Sequence, residues 1–232
     1  MFSLRKIIPK LFTLIVFLFC FSCQKKASKL LYANVLSNTE HWVIEQQPLG
    51  TTFIQNDILE IIDAKGCTVW FKHKLKGNIK ISYDATVIDN GGPHDRVSDL
   101  NCFWMATDPQ NPKDFFKNSK FRAGRFPNYH NLKLYYVGYG GHDNTKTRFR
   151  RYKGTADRPL LKEHDLSDKK FMITANKKMH IEIIVEGNKT TYSRNGEIVF
   201  NVQDLKPYKE GYFGFRTLNN HMKIENFSVS KL

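Results

Sequence analysis

His130, Tyr135, Tyr139, His142, Arg148, Arg150 and Tyr152 fall within one short stretch of the chain. These are the side-chain types that elimination from a uronic acid requires. A cation or strong donor must neutralise the sugar carboxylate so that the neighbouring C5 proton becomes acidic; a Tyr or His must take that proton, and an acid must protonate the departing oxygen. His130 and Tyr135 are the candidates for proton transfer, and Arg148 and Arg150 for a bidentate grip on carboxylate or sulfate. Arg216 and His221 lie further along, where either would close one end of a cleft, with His221 counted among the catalytic candidates. Asn101, Tyr139, His142, Asn144, Tyr152 and Arg216 are candidate substrate contacts. Each has a plainer alternative: a loop-fixing histidine, a turn residue, a solvated basic edge, or a tyrosine lining a non-catalytic sugar cleft. An enzyme and a glycan-binding module therefore both remain open.

Other chemistries fit less well. Glycoside hydrolysis needs two carboxylates flanking the scissile bond, and the Tyr/Arg-rich stretch offers no such pair. His94-Asp95 and His142-Asp143 lack the repeated ligand spacing of a zinc site. The Gly91-Gly92 and Gly140-Gly141 pairs are turns rather than phosphate cradles. No cofactor is expected, while a structural calcium in an Asp-bearing loop is left open.

The elements that must position these residues are strands. Ile79, Ile81, Tyr83, Ala85 and Val87 alternate with Lys80, Ser82, Asp84 and Thr86, the period of a half-buried strand. Val69–Leu75 reads as its hairpin partner across Lys76-Gly77-Asn78. Ile181, Ile183 and Val185 repeat the pattern, and Asn195-Gly196 is a two-residue hairpin signal. Tyr212–Thr217 and Met222–Val229 close the chain. Only Pro112–Asn118 suggests a helical turn, and the longest loops are Asp89–Asp99 and Asp108–Tyr129. Many short strands argue for an all-β sandwich or jelly roll. Parity then assigns faces: Leu132, Leu134 and Tyr136 to the core, with Tyr135 and Tyr139 outward; Phe149 inward, with Arg148, Arg150 and Tyr152 outward; Phe213 and Phe215 inward, with Tyr212 and Arg216 outward. Trp104 reads as core, and Asn101 as lying on the opposite face. If these strands share a sheet, Tyr and Arg converge on one surface.

Arg5, Lys6 and Lys10 precede an apolar run from Leu11 to Phe21, followed by Ser22 and Cys23. This is a secretory-signal layout, and the run is too short for the roughly 20 residues of a membrane span. The small residue before Cys23 resembles a lipobox, implying a signal peptide over 1–22, a lipidated Cys23, a tether over 23–30 and one domain over 31–232 in the periplasm or at the outer membrane; cleavage nearby without lipidation is the alternative. Cys67 and Cys102 either pair in that oxidising compartment or stay free and buried. The formal charge is +14, three units of it in the leader, and Phe115–Gly154 holds ten Lys or Arg against a single acid, Asp143. Such a surface attracts polyanions. The expected partner is an anionic oligosaccharide or polysaccharide, with the membrane reached through the lipid and no nucleic acid; the oligomeric state is open.

The runs Arg96-Val97-Ser98-Asp99-Leu100-Asn101-Cys102-Phe103-Trp104-Met105-Ala106-Thr107-Asp108-Pro109, Tyr135-Tyr136-Val137-Gly138-Tyr139-Gly140-Gly141 and Thr147-Arg148-Phe149-Arg150-Arg151-Tyr152 resemble an uncharacterised-function domain of bacterial polysaccharide-utilisation clusters. So do Gly214-Phe215-Arg216-Thr217 and Asn220-His221-Met222. The resemblance spans roughly Trp42 to the C-terminus. It implies a concanavalin-like jelly roll and, through relatives associated with ulvan breakdown, an oligosaccharide dehydratase that removes water from a terminal uronic acid. It assigns no catalytic residues.

Overall fold

Alternating sequences such as Ile79–Val87 bury every second side chain, and two sheets whose apolar faces meet satisfy that pattern. The computed structural model describes residues 28–232; the leader and Cys23 lie outside the described residues. The first sheet runs in the order β14 (Glu197–Gln203), β13 (Lys189–Arg194), β12 (Met179–Glu186), β7 (Ile79–Val87), β16 (Asn220–Lys231), β4 (Ile58–Asp63) and β3 (Thr51–Gln55), with β1 (Lys29–Tyr32) also paired to β16. The second sheet runs β11 (Asp165–Leu166), β10 (Lys146–Lys153), β9 (Lys133–Gly140), β8 (Asn101–Thr107), β15 (Glu210–Thr217), β5 (Cys67–Phe71) and β2 (Trp42–Gln46), with β6 (Leu75–Lys76) on β15. Neighbouring strands pair antiparallel throughout. The chain is an all-β jelly-roll sandwich. Lys29 and Leu30, inside the segment expected to be a tether, pair with β16 as part of β1.

Between the sheets, Ile81, Tyr83, Ile181, Ile183, Met222 and Ile224 pack against Trp104, Val137, Phe213 and Phe215. Each such side chain contributes about 1.5–3 kcal/mol on burial. Tyr83 and Phe215 meet edge to face at 4.9 Å, the geometry that the ring quadrupoles prefer. Cys67 and Cys102 are unbonded and buried in this core, and burial pushes both thiols up to about 12. They act as small apolar residues.

A second cluster covers part of the other face of the second sheet. The segment 108–132 crosses that face in three short helical turns, Phe115–Asn118, Ser119–Arg122 and Phe126–Tyr129. It buries Trp70, Phe103, Phe115, Tyr129, Leu134, Tyr136 and Tyr152. A buried ion pair is the rivet: Arg122 donates to Glu45 from Nη2 at 2.7 Å and from Nε at 3.0 Å, and to the Phe115 carbonyl at 3.0 Å. Tyr129 donates its hydroxyl to the same carboxylate at 2.6 Å. These bonds offset the desolvation that buried charges otherwise incur. Gly124, at φ 74°, lets the crossing touch the sheet, since a Cβ there would lie 2.3 Å from the Gly66 carbonyl oxygen.

Two expectations fail here for physical reasons. The turn at Lys76-Gly77-Asn78 does not close a hairpin: β5 and β6 pair with β15 in the second sheet, whereas β7 lies in the first, so the turn carries the chain across the sandwich. The parity of β9 is also reversed. Tyr135, Val137 and Tyr139 point into the inter-sheet core, while Leu134 and Tyr136 point outward beneath the crossing.

Candidate functional site

The crossing leaves part of the second sheet's outer face open, forming a cleft of about 350 Å³. Its floor comes from two paired strands. Arg150 of β10 lies beside Tyr136 of β9, and Arg148 beside Gly138. A Cβ on Gly138 would stand 2.7 Å from the Tyr136 hydroxyl, so the glycine is what lets that ring lie along the floor. Phe126 forms one wall, Arg96 and Asp99 another; Arg158 and Leu218 complete the rim. His142 and Asp143 reach in from a turn with left-handed backbone at Gly140 and at the three successive residues His142–Asn144. Non-glycine residues adopt that conformation at a cost. Asn144 holds it, donating to the Ile173 carbonyl at 2.9 Å and accepting from the Ile173 amide at 2.8 Å.

The cleft's charges sort into paired and unpaired. Arg96 is spent on Asp143 at 2.8 Å, Asp99 at 2.9 Å and the Leu218 carbonyl at 3.0 Å. Arg148 holds Asp165 at 2.8 and 3.2 Å, and its hydrogen bond keeps that carboxyl below the usual carboxylate range. Arg148 also meets His142 Nε2 at 2.5 Å. A guanidinium can only donate, so Nε2 accepts and the ring proton sits on Nδ1. Arg150 is different. It donates to the backbone carbonyl of Arg158, and among the described residues neither arginine is bridged to a carboxylate. Burial, with Arg158 and Arg148 close by, lowers the affinity of Arg150 for its proton. Two uncompensated cations thus face one cavity.

His130 adjoins this cleft. Its ring packs edge-on against Phe126 at 5.2 Å, and its Nε2 is buried with no partner. Burial, then Arg158, Arg150 and Arg216, push its pKa down to about 4, which leaves a neutral imidazole at physiological pH.

Of the residues singled out in the sequence, Arg148, Arg150 and His142 line the cleft and His130 flanks it. Tyr135 does not: it is buried in the core, and its hydroxyl donates to Asp204 at 2.6 Å, so it fastens the turn after β14. Tyr139 is fully buried and bonds the Met172 carbonyl and Arg194. Tyr152 is outward-facing but sealed under the second cluster. Asn144 is consumed by Ile173, as described above. Arg216 faces the same way but is buried below the cleft, donating to the Gly124 carbonyl at 2.5 Å under the Phe126 and Tyr129 rings. Asn101, also buried, donates to Asp99 at 3.2 Å and supports the wall. His221 belongs to the first sheet, where it is clamped between Asp95 and Glu60 at 2.7 Å each. Tyr136, Arg96 and Arg158 were missed; the run Arg148-x-Arg150 was the sequence signal nearest to them.

Among the described residues, no group of three or more His, Cys, Asp or Glu is arranged to hold a metal ion. The Asp95 carboxylate of the 89–99 loop is instead used by the Asn90 and Gly92 amides and by His221.

The fold and the site together define an all-β jelly-roll sandwich with a charged cleft on one outer sheet face. Residues 61–227 match the family described as a domain of unknown function, DUF6250, and the chain belongs to that family. Among solved structures it is similar to a Bacillus subtilis protein of unknown function with a galectin-like fold, at 18% identity and TM-score 0.67, covering 89% of this chain and 97% of that one. It is also similar to the carbohydrate binding module CBM66 from Bacillus subtilis, at 15% identity and TM-score 0.55, covering 82% and 96%. The Ca²⁺- and mannose-bound exoplasmic/lumenal domain of VIP36 superposes at 11% identity and TM-score 0.53, covering 83% of each chain. These likenesses concern the fold. No curated protein matches the chain.

Proposed function

We propose that this domain binds an anionic glycan, bearing uronate or sulfate groups, in the cleft between Tyr136, Arg150 and Arg158. The observation that carries the reading is the Arg150–Arg158 pair without a carboxylate. Like charges brought together in a half-buried site destabilise each other until an anion arrives, and a guanidinium matches carboxylate or sulfate in a two-pronged geometry. Proteins similar in fold, a carbohydrate binding module and a mannose-bound exoplasmic/lumenal domain, support a saccharide as the carrier of that charge. The leader and Cys23 add that the domain works outside the cytoplasm on a lipid anchor.

A second reading places elimination at the same site, and the partnerless imidazole of His130, which adjoins the cleft through Phe126, favours it. With the substrate carboxylate on Arg150 and Arg158, a turn of the neutral His130 ring that brings its buried Nε2 to the cleft lets that nitrogen accept the C5 proton. The C5–H electrons form the C4–C5 double bond, and the C4 oxygen leaves with the Tyr136 phenolic proton. Burial holds the Tyr136 hydroxyl well above its ordinary pKa, which keeps it protonated but makes it a weaker acid than a free tyrosine. This chemistry agrees with the resemblance to ulvan oligosaccharide dehydratases. Incubation with uronate oligosaccharides decides between the readings: near-ultraviolet absorbance together with the loss of one water indicates dehydration. New absorbance with chain cleavage indicates a lyase, and saturable binding with neither change indicates a binding module.

A further inference from the structure

A second cavity, about 460 Å³, opens beside the cleft. It lies between the edge strand β14 of the first sheet and the part of β10 beyond its two-residue pairing with β11, and Phe149, Pro159, Leu161, Val202 and Leu205 line it. One wall is the turn 203–206, and it is pinned on both sides. Asp204 takes hydrogen bonds from Tyr135 and Arg151 at 2.6 Å each, and Arg151 also donates to the Lys206 carbonyl at 2.8 Å. This rigid turn holds Leu205 at 87% exposure, and Leu161 opposite is 53% exposed. Apolar side chains fixed in water around a concave floor are the makings of a ligand site.

The occupant follows from what surrounds the groove. Its floor is the Phe149 ring, met edge-on by His164 at 5.0 Å. Its rim carries Lys153, Lys206 and Arg150. Arg150 lines both cavities, and Arg158 and Pro159 are successive residues, one facing the cleft and the other the groove. A ligand in the groove is therefore adjacent to whatever anion the cleft holds. We propose that the groove is a subsite for an aromatic substituent carried by the anionic glycan, so that the ligand is an aryl-bearing acidic saccharide. The proposal rests on the reading of the cleft as the glycan site.

Calorimetric titration of the folded domain with 4-nitrophenyl β-D-glucuronide, methyl β-D-glucuronide and 4-nitrophenyl β-D-glucoside separates the two cavities. The aryl glucuronide should bind about tenfold more tightly than the methyl glucuronide, since the ring adds buried apolar area. A double variant, Leu161→Asn with Leu205→Asn, changes only exposed positions without altering charge and should erase that advantage while leaving the methyl glucuronide unaffected. Equal affinity for the two glucuronides, or an advantage that survives the double variant, overturns the aryl subsite. Binding of both aryl ligands, lost in the double variant, with no binding of methyl glucuronide would keep the groove and remove the cleft as the glycan site. No binding by any of the three would remove both.

Discussion

Arg150 donates from its guanidinium to the backbone carbonyl of Arg158, which ties the segment carrying Arg158 to β10, and both residues line the cleft. That contact orders the segment after β10 and makes the site from a strand residue and a loop residue together. Disrupting either member should act on ligand binding far more than on folding, because no carboxylate among the described residues loses its partner.

The Glu45–Arg122 pair should behave in the opposite way. Both side chains are almost wholly buried, so Glu45→Gln strands a buried guanidinium at a cost of roughly 3–5 kcal/mol. Thermal unfolding followed by circular dichroism should show a melting temperature lowered by roughly 2–4 °C for each kcal/mol lost. A variant carrying Glu45→Leu and Arg122→Leu together should recover much of the loss. An unchanged melting temperature in Glu45→Gln would mean that the crossing is not riveted there.

Tyr135→Phe should lower stability by about 1–2 kcal/mol, as the Asp204 carboxylate loses a buried donor, yet leave glycan binding and any turnover unchanged. Denaturant unfolding and ligand titration on one preparation test both halves. A selective loss of activity in a fully stable Tyr135→Phe protein would return that tyrosine to the site.

His130 sets a pH dependence. Its folded pKa is depressed to about 4 from an ordinary 6.5, so between those values the unfolded chain holds a proton that the folded chain lacks. Stability therefore falls as pH drops from about 6.5 towards 4, and His130→Gln should remove that component. A ring-proton NMR titration should place the His130 midpoint near 4; a midpoint at or above the ordinary value would contradict a buried, cation-flanked imidazole.

How much the sequence revealed depended on whether a strand has one buried face or two. In β7 and β12 a single face meets the core, so alternation located the strands and their inward residues. The Asn195-Gly196 turn joined β13 to β14 as its chemistry demanded. Strand β10 was equally legible, with Phe149 inward and Arg148 and Arg150 on the cleft face. Strand β9 is buried on both faces, by the sandwich core and by the 108–132 crossing, so apolar residues occur at both parities and alternation carries no sign. That reversal exchanged Tyr136 for Tyr135. Arg96 and Arg158 reach the cleft from irregular segments whose paths depend on tertiary contacts such as Asn220 with the Arg96 carbonyl, which no periodicity encodes. His221 was expected to close one end of the cleft, but its strand β16 belongs to the other sheet.

Anchoring is open to a direct check. Wild-type protein should partition with membranes, and Cys23→Ala should become soluble or remain unprocessed. Equal membrane recovery of the two would contradict lipidation at that cysteine.

The most direct measurement is titration of wild type, Arg150→Ala and Arg158→Ala with a uronate-containing, sulfated oligosaccharide at two salt concentrations. Each substitution removes a charge-assisted hydrogen bond worth about 1.5–3 kcal/mol, so affinity should fall by roughly 10- to 100-fold, and wild-type binding should weaken as salt screens the site. Melting temperatures should stay close to that of the wild type. Undiminished affinity in both folded variants would contradict the cleft as the anion site.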